Sequence, residues 1–431
     1  MPAGRLPHQD GSSGLLREGS DQGLLAKTFR PSPLWTSRTF LLLFTGHTMS
    51  NVGDQIYILG LPWFLYQATH SALAVSLVTA VNLIPRVALG PLVGAMCDRW
   101  PKVAVMQISA LVSAVITGIL PVLYLWRGLG TISALALALA LAIASLFYGT
   151  AFGASIPLLF GRERLAEVNG LLSLSGNGSR LIGPAMAGLL VAGLGPIRPL
   201  LFDSLSFVVL AFTLVGVRKI TAEDSEVKRK VLGLRTEIAG GMQFLIKQRS
   251  LLQVVFLILL VNIGGASVLA ILIFHIRSVL HFSAGVTGTV FAVGGAGSLL
   301  MGTVAGRIVN AVKRGTALLV SSAVFGVTLA GLAVSKDSLM FSALYFVLSA
   351  AGTLVNVIVF TIRHQLTPND MLGRVVGTTN ALSRLATPIA AVLGGTVSAL
   401  YGSTLTILDS GLFVVVVAVV ATMFTGIRNV A

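Results

Sequence analysis

The feature that most constrains this chain is a succession of apolar runs, each long enough to cross a lipid bilayer. A crossing helix needs about 20 mostly apolar residues. Runs of that length, broken at polar punctuation, occupy 38–67, 72–97, 103–126, 131–158, 166–194 and 197–217, then 250–276, 284–308, 314–334, 338–362, 374–400 and 404–426. Hydrophobic residues make up 55% of the chain and charged residues only 10%, against roughly 25% charged in a soluble domain. That mixture cannot cover a water-soluble globule, so lipid is part of its solvent. Twelve spans are predicted. The fifth and eleventh are the weakest by hydropathy, because both are rich in Gly and Ser.

Basic residues test the count. In a soluble protein a formal net charge of +15 would suggest nucleic acid. Here it sorts by membrane side, and no nucleic-acid partner is expected. Of 30 Lys and Arg, only Arg127, Arg198, Arg277 and Lys336 fall in loops on one side. Arg86, Arg180 and Arg384 fall inside spans, and the rest gather on the side of the termini. Basic residues favour the cytoplasmic side, so both termini are expected in the cytoplasm of a cell of bacterial type. Residues 1–37, polar and without an early apolar core, read as a cytoplasmic tail rather than a secretory signal. The single cysteine, Cys97, excludes a disulfide framework and a cysteine metal site.

The predicted organisation is a tail (1–37), a six-helix bundle (38–217), a cytoplasmic linker (218–249), a second six-helix bundle (250–426) and a cytoplasmic C-terminus (427–431). The linker carries Arg218-Lys219 and Lys228-Arg229-Lys230. Ile238, Met242 and Leu245 then recur at helical spacing beside Lys247 and Arg249. This predicts an amphipathic helix on the inner membrane surface.

The two bundles repeat one another. Ser179-Arg180-Leu181 with Pro184 matches Ser383-Arg384-Leu385 with Pro388, roughly 204 residues later. Asp203-Ser204 with Phe207-Val208-Val209 matches Asp409-Ser410 with Phe413-Val414-Val415, and Gly94 with Arg99 matches Gly302 with Arg307. Each match pairs a span with the one six further on. The halves therefore share an orientation, the parallel arrangement that places a substrate site between halves near mid-membrane. The match between the fifth and eleventh spans also secures those two spans.

On these residues the chain resembles the major facilitator superfamily over essentially its whole length after the tail. Gly90-Pro91-Leu92-Val93-Gly94-Ala95-Met96-Cys97-Asp98-Arg99-Trp100-Pro101-Lys102 is similar to the family's G-x-x-x-D-R-x-G-R-R loop, with Pro101 in place of the second glycine and Lys102 alone of the basic pair. Gly183-Pro184 with Gly188 is similar to the glycine-proline motif of its antiporters. The R-x-x-Q-G motif of many drug/proton antiporters is missing, since the fourth span has no basic residue. Ser50-Asn51-Val52-Gly53-Asp54-Gln55, Leu61-Pro62-Trp63, Thr69-His70-Ser71-Ala72, Pro85-Arg86, Ile182-Gly183-Pro184 and Gly373-Arg374-Val375 resemble the branch of macrolide and multidrug exporters and the enterobactin exporter.

Candidate site residues follow. Asp54, near the middle of the first span, is an ionisable group at a depth where such groups are functional by default. Arg86 lies at similar depth on the next span. The two are either an ion pair or a proton- or substrate-linked site in which Arg86 tunes Asp54. Gly90 and Gly94 form a small-residue stripe ending at Asp98 and Arg99. The resemblance implies that Asp98 meets the start of the eleventh span, entered through Gly373-Arg374, as a cytoplasmic gate. Gly306 replaces the acid in the second half. Gly183, Pro184, Gly188, Gly297, Gly302 and Pro388 are expected to pack between the halves. Gln55, Tyr57, Trp63, Asn82, Arg180, Asn262, Asn356, Asn380 and Arg384 are candidates to line the cavity. Arg180 and Arg384, being duplicated, serve either a symmetric scaffold or anion attraction. Asp203 and Asp409 are expected to cap helices.

The resemblance implies export of an amphipathic small molecule by proton antiport through alternating access, with the proton gradient as energy source, no cofactor, and a monomer in the bilayer. Siderophore export, lysophospholipid movement and a non-transporting receptor are the alternatives. No enzyme is expected: the six histidines make no H-E-x-x-H pair, and there is no G-x-x-x-x-G-K-[ST] phosphate loop.

Overall fold

A computed structural model describes residues 33–126, 128–161, 163–217, 234–368, 371–424 and 426–429. The readings made for residues 1–32 and 218–233 lie outside them. The described chain is helical throughout, apart from short connections. The first six spans are α1 (Arg38–Thr69), α2 with α3 (Ala72–Ala88 and Gly90–Arg99), α4 (Lys102–Trp126), α5 (Thr131–Phe160), α6 (Leu165–Leu194) and α7 (Leu200–Val215). After α8 (Leu234–Lys247) come α9 (Arg249–Ser278), α10 (Ala284–Ala311), α11 (Arg314–Val334), α12 (Ser338–Leu366), α13 with α14 (Leu372–Arg384 and Thr387–Tyr401) and α15 (Ser403–Phe424).

Eight of these runs are long and apolar enough to cross a membrane, and the bent α2–α3 pair makes a ninth. Helices α1 and α6 have the length, with 32 and 30 residues, and carry more of the polar groups. Helix α7 is apolar but has only 16 residues. Twelve crossings place the start of α1 and the end of α15 on one face, called here the termini face. Side-chain caps fix several helix starts: Ser37 accepts from the Phe40 amide, Ser71 from Ala74 and Asp337 from Met340, each satisfying an otherwise orphaned N–H.

Two spans are broken, which the apolar runs alone do not predict. The second bends by 56° at Leu89, with Pro91 in the first turn of α3. The eleventh breaks after Arg384, with Pro388 in the first turn of α14. A proline lacks the N–H that would reach the carbonyl four residues back and its ring crowds that carbonyl. At the second break the Thr387 hydroxyl donates to the Arg384 carbonyl in its place, at 2.5 Å.

Helices α1 and α4–α7 pack closely among themselves, as do α9, α11, α12 and α15. Each group encloses buried apolar side chains, including Phe40, Met106 and Leu200 in the first and Val254, Leu318 and Ile358 in the second. Large apolar side chains such as Ile108, Leu189, Phe212, Leu339 and Met423 remain exposed on the outer surfaces, as expected where lipid is the solvent. The groups meet through α6 with α10 and α2 with α14. There Gly188 lies against Gly288, Gly295 against the backbone of Arg180 and Leu181, and Gly395 against Ser76. Small residues allow this backbone proximity.

Two expectations need correction. Helix α8 does not present Met242 and Leu245 to lipid. Leu245 is fully buried with Leu251, Val255 and Val375, and Met242 packs at the edge of that cluster, so α8 docks on α13. The side chain of Ile238 lies outside the described residues. Nor do Asp203 and Asp409 cap helices. Asp203 sits within the first turn of α7, whose N-cap position is Pro199. Asp409 lies nearly two turns into α15, exposed.

Candidate functional site

The seam between the two groups of helices holds a central space in two neighbouring parts. The larger, about 740 Å³, is lined by α1, α2, α6, α9, α10 and α12, with Asn51, Asp54, Gln55, Arg86, Ser179, Arg180, Ser298, Tyr345 and Ser349 among its polar residues. The smaller, about 460 Å³, is lined by Asn262, Asn356, Arg363, Thr379, Asn380, Ser383 and Arg384 with apolar neighbours. Thr79 and Leu269 border both.

Helical periodicity delivers these groups. Asn51, Asp54, Gln55, Ile58 and Pro62 follow one face of α1, at the three- and four-residue steps that align on a helix. The opposite face of α1 packs on α7: a methyl group on Gly53 would lie 2.5 Å from Asp203 Oδ1. Asp203 is thus sealed behind the cavity wall. Its Oδ2 has no hydrogen-bond partner, while the Ser206 hydroxyl donates to the Asp203 carbonyl at 2.7 Å.

Asp54 is the one carboxylate among the described lining residues of either part. It is half-buried, and Arg86, exposed to the same space, acts on it electrostatically. Among the described residues the two form no direct ion pair within 4.0 Å. They share the lining of one cavity instead.

The cavity is closed on one face and wide on the other. Away from the termini face, α6 seals against α10 and α14 against α2. Tyr66 and Phe274 meet edge-on there at 5.7 Å, and the Arg277 guanidinium lies 5.4 Å over the Trp63 ring. Towards the termini face, a methyl group on Gly90, Gly94, Gly373 or Gly377 would meet nothing within 4 Å. Asp98 and Arg99 are exposed, and Arg374 is half-buried beneath α8. Helix α3 packs on α5, with Trp100 stacked on Phe147. The first turn of α13 has no side-chain cap. The residues expected to form a cytoplasmic gate therefore stand apart in this conformation.

Of the predicted lining residues, Gln55, Arg180, Asn262, Asn356, Asn380 and Arg384 reach the cavity. Tyr57 and Trp63 do not. Both are buried in the first helix group. Asn82 does not line it either, and donates to the Val78 carbonyl at 2.9 Å. Among the expected packing residues, Gly188 and the Pro184 carbonyl join the halves through Gly288. Gly183 packs on Gln55 within its own half, Gly297 packs on Phe346 within its own half, and Gly302 faces open space. Pro388 is buried at the start of α14. The sequence reading missed Arg363, which it left one residue beyond the tenth span. Asn356, Val359 and Arg363 recur on one face of α12, and all three line the smaller part. That spacing was the available signal.

A family model described as the Major Facilitator Superfamily matches residues 43–382 and 255–430. The chain belongs to the Major Facilitator Superfamily. It is a multi-pass membrane transporter, not an enzyme. This superfamily member is 26% identical over 402 residues to the uncharacterized MFS-type transporter YfiS of Bacillus subtilis, covering 90% of this chain and 94% of that one. It is 22% identical over 399 residues to macrolide efflux protein A of Streptococcus pyogenes, covering 90% and 96%. It is also 27% identical over 211 residues to the multidrug efflux pump Tap of Mycolicibacterium fortuitum, covering 47% and 51%. The fold matches the crystal structure of the nucleoside transporter NupG with a TM-score of 0.73 at 13% identity, over 89% of this chain and 98% of that one. It matches a bacterial homologue of the iron transporter ferroportin, in an inward-facing state, with a TM-score of 0.64 at 19% identity, over 88% and 98%.

Proposed function

We propose that the protein is a secondary active exporter of amphipathic small molecules, driven by proton antiport through alternating access. The observation that carries this reading is Asp54. It is the one carboxylate among the described lining residues of a large central cavity of mixed polarity, within reach of the Arg86 charge and free of a direct ion pair among the described residues. A carboxylate so placed can exchange a proton for a substrate without dismantling a packed salt bridge. Similarity to macrolide efflux protein A and to Tap supports export of drug-like molecules.

The termini face is cytoplasmic in this reading, following the basic residues, and the structure corresponds to a cytoplasm-open state. Bundles 38–217 and 250–426 rock as units of a monomer in the cell membrane. When the cytoplasmic side closes, Gly90 and Gly94 approach α13, and Asp98 accepts from its uncapped first turn, where backbone N–H groups and the helix dipole favour an anion.

Purified protein in liposomes with an imposed proton gradient tests the reading. Wild type is expected to concentrate at least one of a panel of amphipathic drugs and dyes, carboxylate-bearing ones included, against its gradient, and Asp54→Asn to lose that accumulation. Undiminished accumulation by Asp54→Asn removes the proton role. Four arginines in the cavity favour a second reading, siderophore export. A deletion strain that secretes less siderophore but keeps its drug resistance would select it.

A further inference from the structure

We propose that the wall formed by α12 and α13 is an oxyanion subsite, in which Arg363 and Arg384 bind a carboxylate or phosphate group of the transported molecule. This rests on the reading of the central cavity as a transport site and names the chemistry it selects.

Both guanidiniums border the same part of the cavity, and they are close enough for their charges to repel. No acidic residue is among the described residues lining that part, and Asp54 borders the other part. Two like charges facing one cavity wall without a carboxylate repel each other, and an oxyanion is the ligand that relieves this. Arg363 is also held in place. Its Nη1 donates to Asn380 Oδ1 at 2.6 Å and to Thr379 Oγ1 at 3.3 Å, both on α13. Its Nε also donates to the Val359 carbonyl at 3.4 Å, so these bonds fix the guanidinium plane and leave Nη2 for a ligand. Nη2 of Arg363 and the guanidinium of Arg384, which borders the same part, together suit two-point recognition of an oxyanion. The Arg384 side chain has no hydrogen-bond partner among the described residues, is exposed to the cavity, and sits at the α13–α14 break. Asn262 donates to the Ser383 carbonyl at 2.8 Å, anchoring that break to α9. Arg363 also departs from the repeat, since the fourth span, the counterpart of α12, carries no basic residue. A purely symmetric scaffold does not require it.

The test is equilibrium binding, without a gradient, of a fluorescent coumarin carboxylate and its carboxamide to the full chain in phosphatidylcholine nanodiscs, read by anisotropy against empty discs. The carboxylate is expected to bind at least about tenfold tighter than the amide, the scale of one charge-assisted hydrogen bond. Arg363→Gln and Arg384→Gln should each abolish that preference while leaving the amide unchanged, and Arg363→Lys should restore part of it. Arg384→Gln removes no hydrogen bond of the structure, so its result does not depend on tolerance of a folding defect. Equal binding of the two probes, no binding of the carboxylate, or a preference that survives both Gln variants overturns the proposal. Adding phosphatidylglycerol to the discs separates the sources of the oxyanion. Loss of carboxylate binding there assigns the subsite to a lipid headgroup, and unchanged binding assigns it to a soluble substrate. Charge-selective binding without gradient-driven transport would count against the export reading alone.

Discussion

Gly188 and Gly288 meet backbone to backbone across the two halves. A methyl group on Gly188 would fall 2.9 Å from the Gly288 Cα and 2.6 Å from the Ala284 carbonyl oxygen. No side chain fits there without separating α6 from α10. Gly188→Val and Gly288→Val are therefore expected to hold the closed face ajar and to lower transport at least about tenfold, one step of roughly 1.4 kcal/mol. In a Cys97→Ser background, cysteines placed at cavity positions would become reactive to an impermeant thiol reagent from that face. Unchanged reactivity and rate would show that the contact is incidental.

The same face carries a second tie. Arg277 of α9 lies over the Trp63 ring of α1 at 5.4 Å and donates to the Phe282 carbonyl at 3.4 Å. A partly desolvated cation–π pair contributes about 0.5–2 kcal/mol. Trp63→Leu should lower thermal stability in detergent by that order, and Trp63→Phe by less. A double-mutant cycle with Arg277→Gln separates the pair from the loss of indole packing. A coupling near zero would leave Trp63 as a packing residue only.

How far this site was legible in the sequence depended on what each residue type can do in lipid. Asp54, Arg86 and Arg180 stood out because a charge in a membrane span must face protein or water, and all three border the cavity. The twelve spans and their repeat were legible for a related reason, since lipid enforces length and apolarity. Tyr57, Trp63 and Asn82 misled because amphipathic side chains satisfy either a cavity or a core, and one chain's periodicity does not choose between them. The glycines were ambiguous in the same way. Gly297 and Gly188 look alike in sequence, yet one packs on Phe346 of its own half and the other on Gly288 of the partner half. Docking of α8 on α13 was hidden because an apolar helical face fits a protein groove as well as a bilayer surface.

Asp98 is exposed in this conformation, so in the proposed cycle its effect should appear only when the termini face closes. Asp98→Asn is expected to leave stability within about 0.5 kcal/mol, as for an exposed side chain, yet to slow transport severalfold by weakening the closed-in state. Pairs of spin labels on α3 and α13 should show a smaller short-distance population in the variant. A loss of stability comparable to a core substitution would place Asp98 in the resting scaffold instead.

Helix α8 packs on α13, the helix that opens the proposed gate. A methyl group on Gly241 would fall 2.8 Å from the Arg374 carbonyl oxygen and would overlap Thr378 Oγ1. Backbone cannot yield as a flexible side chain can, and such overpacking costs about 1–3 kcal/mol. Gly241→Leu should therefore lift α8 from α13 and uncover Leu245, Leu251 and Val375. Hydrogen–deuterium exchange is expected to rise across 234–247 and at the start of α13, while α4 and α11 keep their protection. If docked α8 steadies the half of the gate that begins at Gly373, transport falls along with the lost protection. Fast exchange with an unchanged transport rate would mean that α8 is a tether with no part in the cycle.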